Sequence, residues 1–214
     1  PRQPLPPRGA RTPTRLSSAA RSTRPLTPPL TAHRSPAGTY GDVDDDKCID
    51  CPAGKYASDA GQSSCTSCAA GLYSADAATQ CSDCPEGTYS AAEATTCTDC
   101  PVGKYASNAG QSSCTSCVAG LYSADAATQC SECSNGTYSA AEATTCTDCS
   151  VGYYMSEPAA SACLACGTGT YAINEGSKGC IDCPAGYSAS STGASSCSPC
   201  ASGTYSEDGS GECT

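Results

Sequence analysis

The residues of this chain that could do chemistry are its cysteines, which recur as Cys-x-x-Cys pairs. The 214 residues include 21 cysteines, arranged as ten such pairs between Cys48 and Cys200 and a last cysteine, Cys213. Such pairs bind zinc, exchange thiol for disulfide at a redox centre, or form structural disulfides. Zinc sites of four cysteines separate their pairs by about 15 to 20 residues, whereas the spacers here are 12 or 13 residues long. The spacing and the odd count favour structural disulfides, and we expect no metal ion and no cofactor.

Other catalytic groups are scarce. The chain has a single histidine, His33, which leaves no Ser-His-Asp set, and it has no glycine-rich phosphate-binding loop. A thioredoxin-like centre uses one Cys-x-x-Cys motif at a helix N-terminus rather than ten. We therefore predict that the protein is not an enzyme.

The composition predicts a fold held together by covalent cross-links. There is no Trp, no Phe and a single Met, so little large apolar surface is available to offset the conformational entropy of folding. A cysteine content of 21 in 214 residues is typical of disulfide scaffolds, which form in oxidising compartments. We therefore predict an extracellular or cell-surface protein. Because no long, continuous apolar run occurs, we expect no membrane span in this chain.

Residues 1–34 form a separate basic arm, rich in Pro, Arg, Ser and Thr. The arm has seven Arg and no acid, whereas all 21 acidic residues follow it. Its prolines favour extended or polyproline II backbone, and its composition is also that of a disordered linker. A cationic arm could instead lie along the acidic repeats of a neighbouring subunit. Sugars attached at Thr12, Thr27 and Ser35, each close to a proline, are a third interpretation. An Arg-rich nucleic-acid tail fits an oxidising compartment badly, so no nucleic-acid partner is expected.

From residue 35 onwards the chain is a tandem array. The stretch Ser35–Tyr40 aligns with Cys51–Tyr56, so residues 35–50 are a degenerate first repeat in which Ser35 replaces a cysteine. Residues 51–149 contain two near-identical 49-residue triple repeats that differ at six positions. Residues 150–214 are more divergent, and we expect them to be truncated after Cys213. The short period, about 16 to 17 residues, predicts that each unit touches only its neighbours.

Each unit carries the motif Gly-x-Tyr. The glycine supplies a turn, and the tyrosine is the only bulky group in its unit. We expect its ring to cover a disulfide, with the hydroxyl at the surface, and so to form the repeat core. Each unit should be a turn plus a short irregular hairpin, with almost no helix, and the array should be an elongated rod. The tyrosines at this position are Tyr56, Tyr73, Tyr89, Tyr105, Tyr122, Tyr138, Tyr154, Tyr171 and Tyr205, while Tyr187 falls one residue early.

Two disulfide patterns fit the spacing. In one, the second cysteine of each pair bonds the first cysteine of the next pair, which leaves Cys48 unpaired or intermolecular. In the other, firsts bond firsts and seconds bond seconds, which leaves Cys213 alone. We favour the first because it treats every unit identically and because it makes Ser35 the missing partner of Cys48. Each closed loop of about 15 residues would stabilise the fold by roughly 3 kcal/mol. The favoured pairs are Cys51–Cys65, Cys68–Cys81, Cys84–Cys97, Cys100–Cys114, Cys117–Cys130, Cys133–Cys146, Cys149–Cys163, Cys166–Cys180, Cys183–Cys197 and Cys200–Cys213.

Two local motifs concern modification and metal binding. Asn135-Gly136-Thr137 is the only N-glycosylation acceptor triplet, so we predict attached glycans with Asn135 as one site. The acidic residues Asp42 and 44–46 lack the glycine turn of a calcium-binding loop, and we interpret them as a solvated loop.

The motif Cys-Pro-x-Gly-Lys-Tyr, followed by a loop to the next cysteine, resembles the first sub-module of the cysteine-rich domains of tumour-necrosis-factor receptors. The tandem form, in which Cys-x-x-Cys recurs with this short period from about Ser35 to Thr214, resembles the ephrin-receptor-like cysteine-rich repeats of surface proteins. The resemblance implies a rod-like extracellular repeat protein. The receptors alternate simple loops with crossed-pair modules, whereas this chain has only the simple loop, so their ligand contacts are not carried over.

The uniformity of the repeats favours a structural role. We predict a subunit of an extracellular filament, appendage or surface coat, which assembles as a homo-oligomer through repeat–repeat contacts, the basic arm and Cys48. The alternative is the ligand-binding ectodomain of a receptor-like surface protein. In that case binding would fall on the less regular units after Ser150, at Tyr153–Met155 and Ile173–Glu175.

Overall fold

The structure is a computed structural model of the chain. It describes residues 35–42 and 47–214. The basic arm, with Thr12 and Thr27, and the acidic residues 44–46 lie outside the described residues. For clarity we number the repeats as units: 0 (35–50), 1 (51–67), 2 (68–83), 3 (84–99), 4 (100–116), 5 (117–132), 6 (133–148), 7 (149–165), 8 (166–182), 9 (183–199) and 10 (200–214).

The described part has no helix and is built from antiparallel two-stranded hairpins, one in each of units 0 to 9. Unit 0 has four-residue strands, β1 (Thr39–Asp42) and β2 (Lys47–Asp50). The strands of the other units have two residues each. The pairs are β3 (Lys55–Tyr56) with β4 (Thr66–Ser67), β5 (Leu72–Tyr73) with β6 (Ser82–Asp83), β7 (Thr88–Tyr89) with β8 (Thr98–Asp99), β9 (Lys104–Tyr105) with β10 (Thr115–Ser116), β11 (Leu121–Tyr122) with β12 (Ser131–Glu132), β13 (Thr137–Tyr138) with β14 (Thr147–Asp148), β15 (Tyr153–Tyr154) with β16 (Leu164–Ala165), β17 (Thr170–Tyr171) with β18 (Ile181–Asp182), and β19 (Tyr187–Ser188) with β20 (Ser198–Pro199). The prediction of a small disulfide-rich fold of short hairpins is confirmed.

One disulfide closes each unit from 1 to 10. The structure joins the second cysteine of each pair to the first cysteine of the next pair, from Cys51–Cys65 to Cys200–Cys213, with Cα atoms 5.6–5.8 Å apart. Cys48 is free and exposed. These are the pairs of the neighbour-to-neighbour pattern, and the crossed pattern is not formed. Since an isolated two-stranded hairpin is marginal in water, the disulfide supplies the closure that two-residue strands cannot.

The buried interior consists of small side chains rather than tyrosines. The first cysteine of every unit from 1 to 9 is 0 or 1% exposed. The second buried column is the residue after the tyrosine position: Ala57, Ser74, Ser90, Ala106, Ser123, Ser139, Met155, Ala172, Ala189 and Ser206. The tyrosines are half-buried at most sites, and Tyr205 is 67% exposed. The interpretation of the tyrosines as the repeat core, with each ring over a disulfide and the hydroxyl at the surface, stays a prediction, while the fully buried positions are taken by these smaller side chains.

Each of the five serines in this column is also satisfied. Its hydroxyl donates to a backbone carbonyl of the preceding unit, as Ser74 Oγ does to the oxygen of Lys55 at 3.0 Å. A buried hydroxyl with a partner avoids most of the desolvation penalty of a polar group. Either alanine or serine can therefore occupy this column without leaving a buried polar side-chain atom unpaired.

A backbone hydrogen-bond ladder joins consecutive units. The amide of Gly54 donates to the carbonyl of Ser74 at 3.0 Å, and the amide of Ala77 donates to the carbonyl of Cys51 at 2.8 Å. The same two bonds recur between successive units as far as unit 10, where Gly186 donates to Ser206. The ladder pairs backbone groups that the short hairpins leave without a partner.

Each unit also contacts the second unit along the chain. Gly54 has φ +86°, and a Cβ there would lie 2.2 Å from the carbonyl oxygen of Glu93 in unit 3. The corresponding glycines of units 0 to 8 all face such a carbonyl, at 2.0–2.3 Å from the Cβ position. A two-residue strand spans only about 7 Å, so the loop of one unit reaches past the intervening unit. The expectation that a unit touches only its adjacent neighbours is therefore wrong.

Candidate interaction surface

Shallow surface depressions recur between consecutive units. Each is lined by the tyrosine of one unit and by three elements of the next: its second residue, the residue after its glycine, and the second cysteine of its disulfide. The linings are Tyr56, Ala69, Leu72 and Cys81 between units 1 and 2, Tyr122, Ser134, Thr137 and Cys146 between units 5 and 6, and Tyr138, Ser150, Tyr153 and Cys163 between units 6 and 7. At these three places the tyrosine therefore lies beside the disulfide of the following unit.

The depression between units 6 and 7 has a different chemical character. Tyr138 and Tyr153 both line it, together with Ser150, Ala162 and Cys163. The equivalent depressions hold one tyrosine each and include Glu132 or Gln80 in their walls. Units 6 and 7 thus form an aromatic, uncharged depression, which we call the two-tyrosine depression.

The ring of Tyr153 lies near Gly193 of unit 9. A Cβ at Gly193 would lie 3.7 Å from Cε2, Cζ and Oη of Tyr153, which is ordinary contact distance. The backbone of Tyr153 is paired with Ala165 in the hairpin of unit 7. Tyr153 is 42% exposed, so its side chain is accessible to a ligand.

Exposed apolar side chains concentrate in the divergent units. In residues 51–149 the exposed large apolar residues are Val102 and Val118, whereas residues 150–214 expose Val151, Tyr153, Leu164, Ile173, Ile181, Tyr187 and Tyr205. Two segments were predicted from the sequence as binding segments. In Tyr153–Met155, Tyr153 is exposed and Met155 is buried, and in Ile173–Glu175 the apolar Ile173 is exposed. Leu164 and Ile181 were missed, although the signal was readable, since Thr66 and Thr98 hold the same position in units 1 and 3.

A charged contact links alternate units in both 49-residue copies. Glu93 of unit 3 accepts a hydrogen bond from Ser67 Oγ at 2.6 Å and lies 3.7 Å from Lys55 Nζ, both of which belong to unit 1. The hydrogen bond from Ser67, followed by the Lys55 ammonium, lowers the pKa of Glu93. The second copy repeats this arrangement with Lys104, Ser116 and Glu142. Because these groups are solvent-exposed, each contact alone contributes little to stability. The same charged patch nevertheless occurs at equivalent positions in both 49-residue copies.

The predicted modification sites have different environments. Ser35 is fully buried, and its hydroxyl donates to the carbonyl of Gln62 at 3.3 Å. The prediction of a sugar on Ser35 is therefore wrong, because the attachment oxygen is inaccessible in the folded unit. Asn135 is half-buried, and its side-chain amide donates to the carbonyl of Ser156. Glycosylation of Asn135 stays a prediction.

Neither a metal cluster nor a membrane helix is found in the ranges 35–42 and 47–214. No group of three His, Cys, Asp or Glu residues there is placed to hold a metal ion. No helix of that part is long and apolar enough to cross a bilayer.

Fold and surface together define a cysteine-rich tandem-repeat protein in which each of units 1 to 9 is one disulfide-closed hairpin. The family described as tyrosine-protein kinase ephrin type A/B receptor-like matches residues 38–84, 87–133, 136–183 and 152–200. Because these matches cover well over half of the chain, the chain belongs to this ephrin-receptor-like family, and the resemblance noted from the Cys-x-x-Cys period is confirmed. The matches that begin at 38, 87 and 136 are one 49-residue period apart. No curated protein matches the chain significantly. The family and the ten disulfides point to an extracellular or secreted protein.

Proposed function

We propose that the chain is a non-enzymatic structural subunit of an extracellular filament, appendage or surface coat. It assembles as a homo-oligomer through repeat–repeat contacts and through the basic arm. The observation that carries this proposal is uniformity, since the two 49-residue copies differ at only six positions. A ligand site needs a local distinction, whereas identical units suit length and regular lateral contacts.

Equally spaced surface patches are what a fibre requires. The Lys55–Glu93 patch of the first copy recurs in the second copy as Lys104–Glu142, with the same serine contact. A heterologous contact that does not close into a ring generates an open helical assembly. The arm carries seven Arg and no acid while the acidic residues all lie in the repeats, so an arm is electrostatically complementary to the repeats of another copy. The exposed thiol of Cys48 is a further intermolecular contact in this proposal.

Electron microscopy of the negatively stained, purified full chain tests the proposal, together with sedimentation velocity over a range of protein and salt concentrations. We expect concentration-dependent assemblies that weaken as salt screens the arm, since the Debye length shortens from about 30 Å at 0.01 M to about 8 Å at 0.15 M ionic strength. A variant in which the seven arm arginines are replaced by glutamine is the matched control and should assemble less. A chain that stays monomeric at high concentration and low salt would overturn the proposal.

The second candidate is the ligand-binding ectodomain of a receptor-like surface protein. It is favoured by the apolar residues exposed in the divergent units, including Leu164, Ile173 and Ile181. A binding screen on the full chain discriminates between the two functions when it is repeated on Leu164→Thr with Ile181→Thr. Threonine is the residue of the regular units at this position, so the double variant should fold. A ligand lost only by this variant would favour the receptor-like function.

A further inference from the structure

The two-tyrosine depression presents two aromatic side chains, unlike the depressions between units 1 and 2 and between units 5 and 6. Those two depressions place Leu72 and Thr137 where this one has Tyr153. Tyr138 is contributed by strand β13 and Tyr153 by strand β15, and each strand is paired within a disulfide-closed hairpin. A ligand therefore meets two aromatic side chains whose backbones are already ordered, which lowers the entropic cost of binding.

Paired, accessible tyrosines suit a proline-rich ligand. Segments in the polyproline II conformation dock onto aromatic-lined grooves because their backbone is preformed and their carbonyls stay free for tyrosine hydroxyls. With three residues per turn, prolines at positions i and i+3 lie on the same face of such a segment. The walls of the depression carry no charged side chain, so apolar pyrrolidine rings can be buried there without desolvating an ion.

The basic arm of this chain has a proline-rich sequence of this kind. Residues 24–30 read Arg-Pro-Leu-Thr-Pro-Pro-Leu, with Pro25 and Pro28 at the required spacing. Arg24 directly precedes the first of these prolines. On the repeat side, Asp148 lies opposite Thr137 in the β13–β14 hairpin, and Thr137 directly precedes Tyr138. An acidic group beside the aromatic wall complements an arginine at the end of the proline segment.

We propose that the two-tyrosine depression binds the proline-rich segment 24–30 of a second copy of the chain. The inference rests on the proposed assembly function and names the contact that would carry it. In this contact, Pro25 and Pro28 of one copy pack against the two tyrosines of the depression in the next copy. The arginines of the arm then lie near the acidic residues of the repeats. Because the arm and the depression are different surfaces, the contact is heterologous and extends into an open chain of subunits.

Self-association of the full chain is the first test. Sedimentation velocity compares the wild type with Tyr153→Thr, which introduces the residue that unit 6 has at this position. Leu121→Thr makes a comparable change at the same position of unit 5 and is the matched control. We expect Tyr153→Thr to weaken association roughly tenfold, as for a buried aromatic anchor, and Leu121→Thr to weaken it less than about twofold. Equal effects of the two substitutions would overturn the inference.

A peptide of residues 22–31 separates this inference from the filament proposal. The labelled peptide is titrated into full-length chain by fluorescence anisotropy, with a scrambled peptide and a Pro25→Ala, Pro28→Ala peptide as controls. Saturable binding that is lost in Tyr153→Thr supports the docking site, even if the chain itself proves monomeric and the filament proposal fails. Assemblies that persist unchanged in Tyr153→Thr overturn the docking site while the filament proposal stands. Equal binding of the scrambled peptide, or no binding of any peptide, also overturns it.

Discussion

Because alternate units approach each other closely, we predict that a side chain at Gly120 strongly destabilises the array. Its φ is +88°, and a Cβ added there would lie 2.0 Å from the carbonyl oxygen of Ala159, two units further along. Alanine would meet two penalties. The left-handed backbone costs about 1–2 kcal/mol for a residue with a side chain, and forcing a methyl group into a packed contact costs about 1–3 kcal/mol more.

Gly186 provides a control that carries only the first penalty. Its φ is +83°, it also follows an alanine, and its amide likewise donates to a buried serine of the next unit. A Cβ at Gly186, however, would meet no atom within 4 Å. Gly186→Ala should therefore lower the local free energy of opening by about 1–2 kcal/mol, while Gly120→Ala should lower it by about 2–5 kcal/mol.

Native-state hydrogen exchange measures this difference locally, at the substituted amide and at the amide of Ala159, which donates to the carbonyl of Cys133. Since about 1.4 kcal/mol corresponds to tenfold, exchange should accelerate about 30-fold or more in Gly120→Ala and about 5- to 30-fold in Gly186→Ala. If Gly120→Ala fails to fold while Gly186→Ala is produced with ten native disulfides, the conclusion is the same. Equal acceleration in the two variants would refute the contact between alternate units.

Three further predictions follow from single residues. Ala126 has φ +54°, so Ala126→Gly should relieve left-handed strain and stabilise its unit by about 0.5–1 kcal/mol after the entropic cost of glycine, measured as slower amide exchange; faster exchange would contradict this. Glu142 has a pKa lowered from 4.5, first by the hydrogen bond from Ser116, so its stabilising contact is present above about pH 4.5 and is lost as the pH falls through the depressed value. Carboxyl NMR should show this pKa rising in Ser116→Ala, and an unchanged pKa would exclude the hydrogen bond as its cause. Ser35→Cys should form an eleventh disulfide with Cys48 and stabilise unit 0 by roughly 3 kcal/mol, with loss of the one titratable thiol and of two mass units; a second free thiol would show that Ser35 is not the missing partner.

Several parts of the fold could be predicted from the sequence because each of them depends on the residues of a single unit. The loop from Cys51 to Cys65 closes over a sequence separation of 14, so repeat symmetry alone was enough to prefer it over the crossed pattern. The turn before Tyr56 was readable from Gly54 for the same local reason. The buried column after the tyrosine was not predicted, because the tyrosine is the largest apolar group of its unit and size usually predicts burial.

The candidate site could be predicted only in part from the sequence. The divergent units after Ser150 were recognised from their departure from the 49-residue copies, and Tyr153 was among the residues named. That Tyr153 shares a depression with Tyr138 of the preceding unit depends on how the two units are arranged in space. The link between Lys55 and Glu93 could likewise not be predicted from the sequence, where the two residues are separated by more than two units.

The amino-acid sequence by itself determined the repeat period and the family, favoured one of two disulfide patterns and pointed to an oxidising compartment, because these features lie within a single unit and recur along the chain. The tertiary structure alone decided what is buried and what is presented. Gly120 meets the carbonyl of Ala159, which lies two units away in the sequence, and no pattern inside one unit specifies how closely alternate units approach. The buried side chains are half-cystines, alanine, serine, one methionine and Thr39, and the tyrosine rings stay half-buried at most sites.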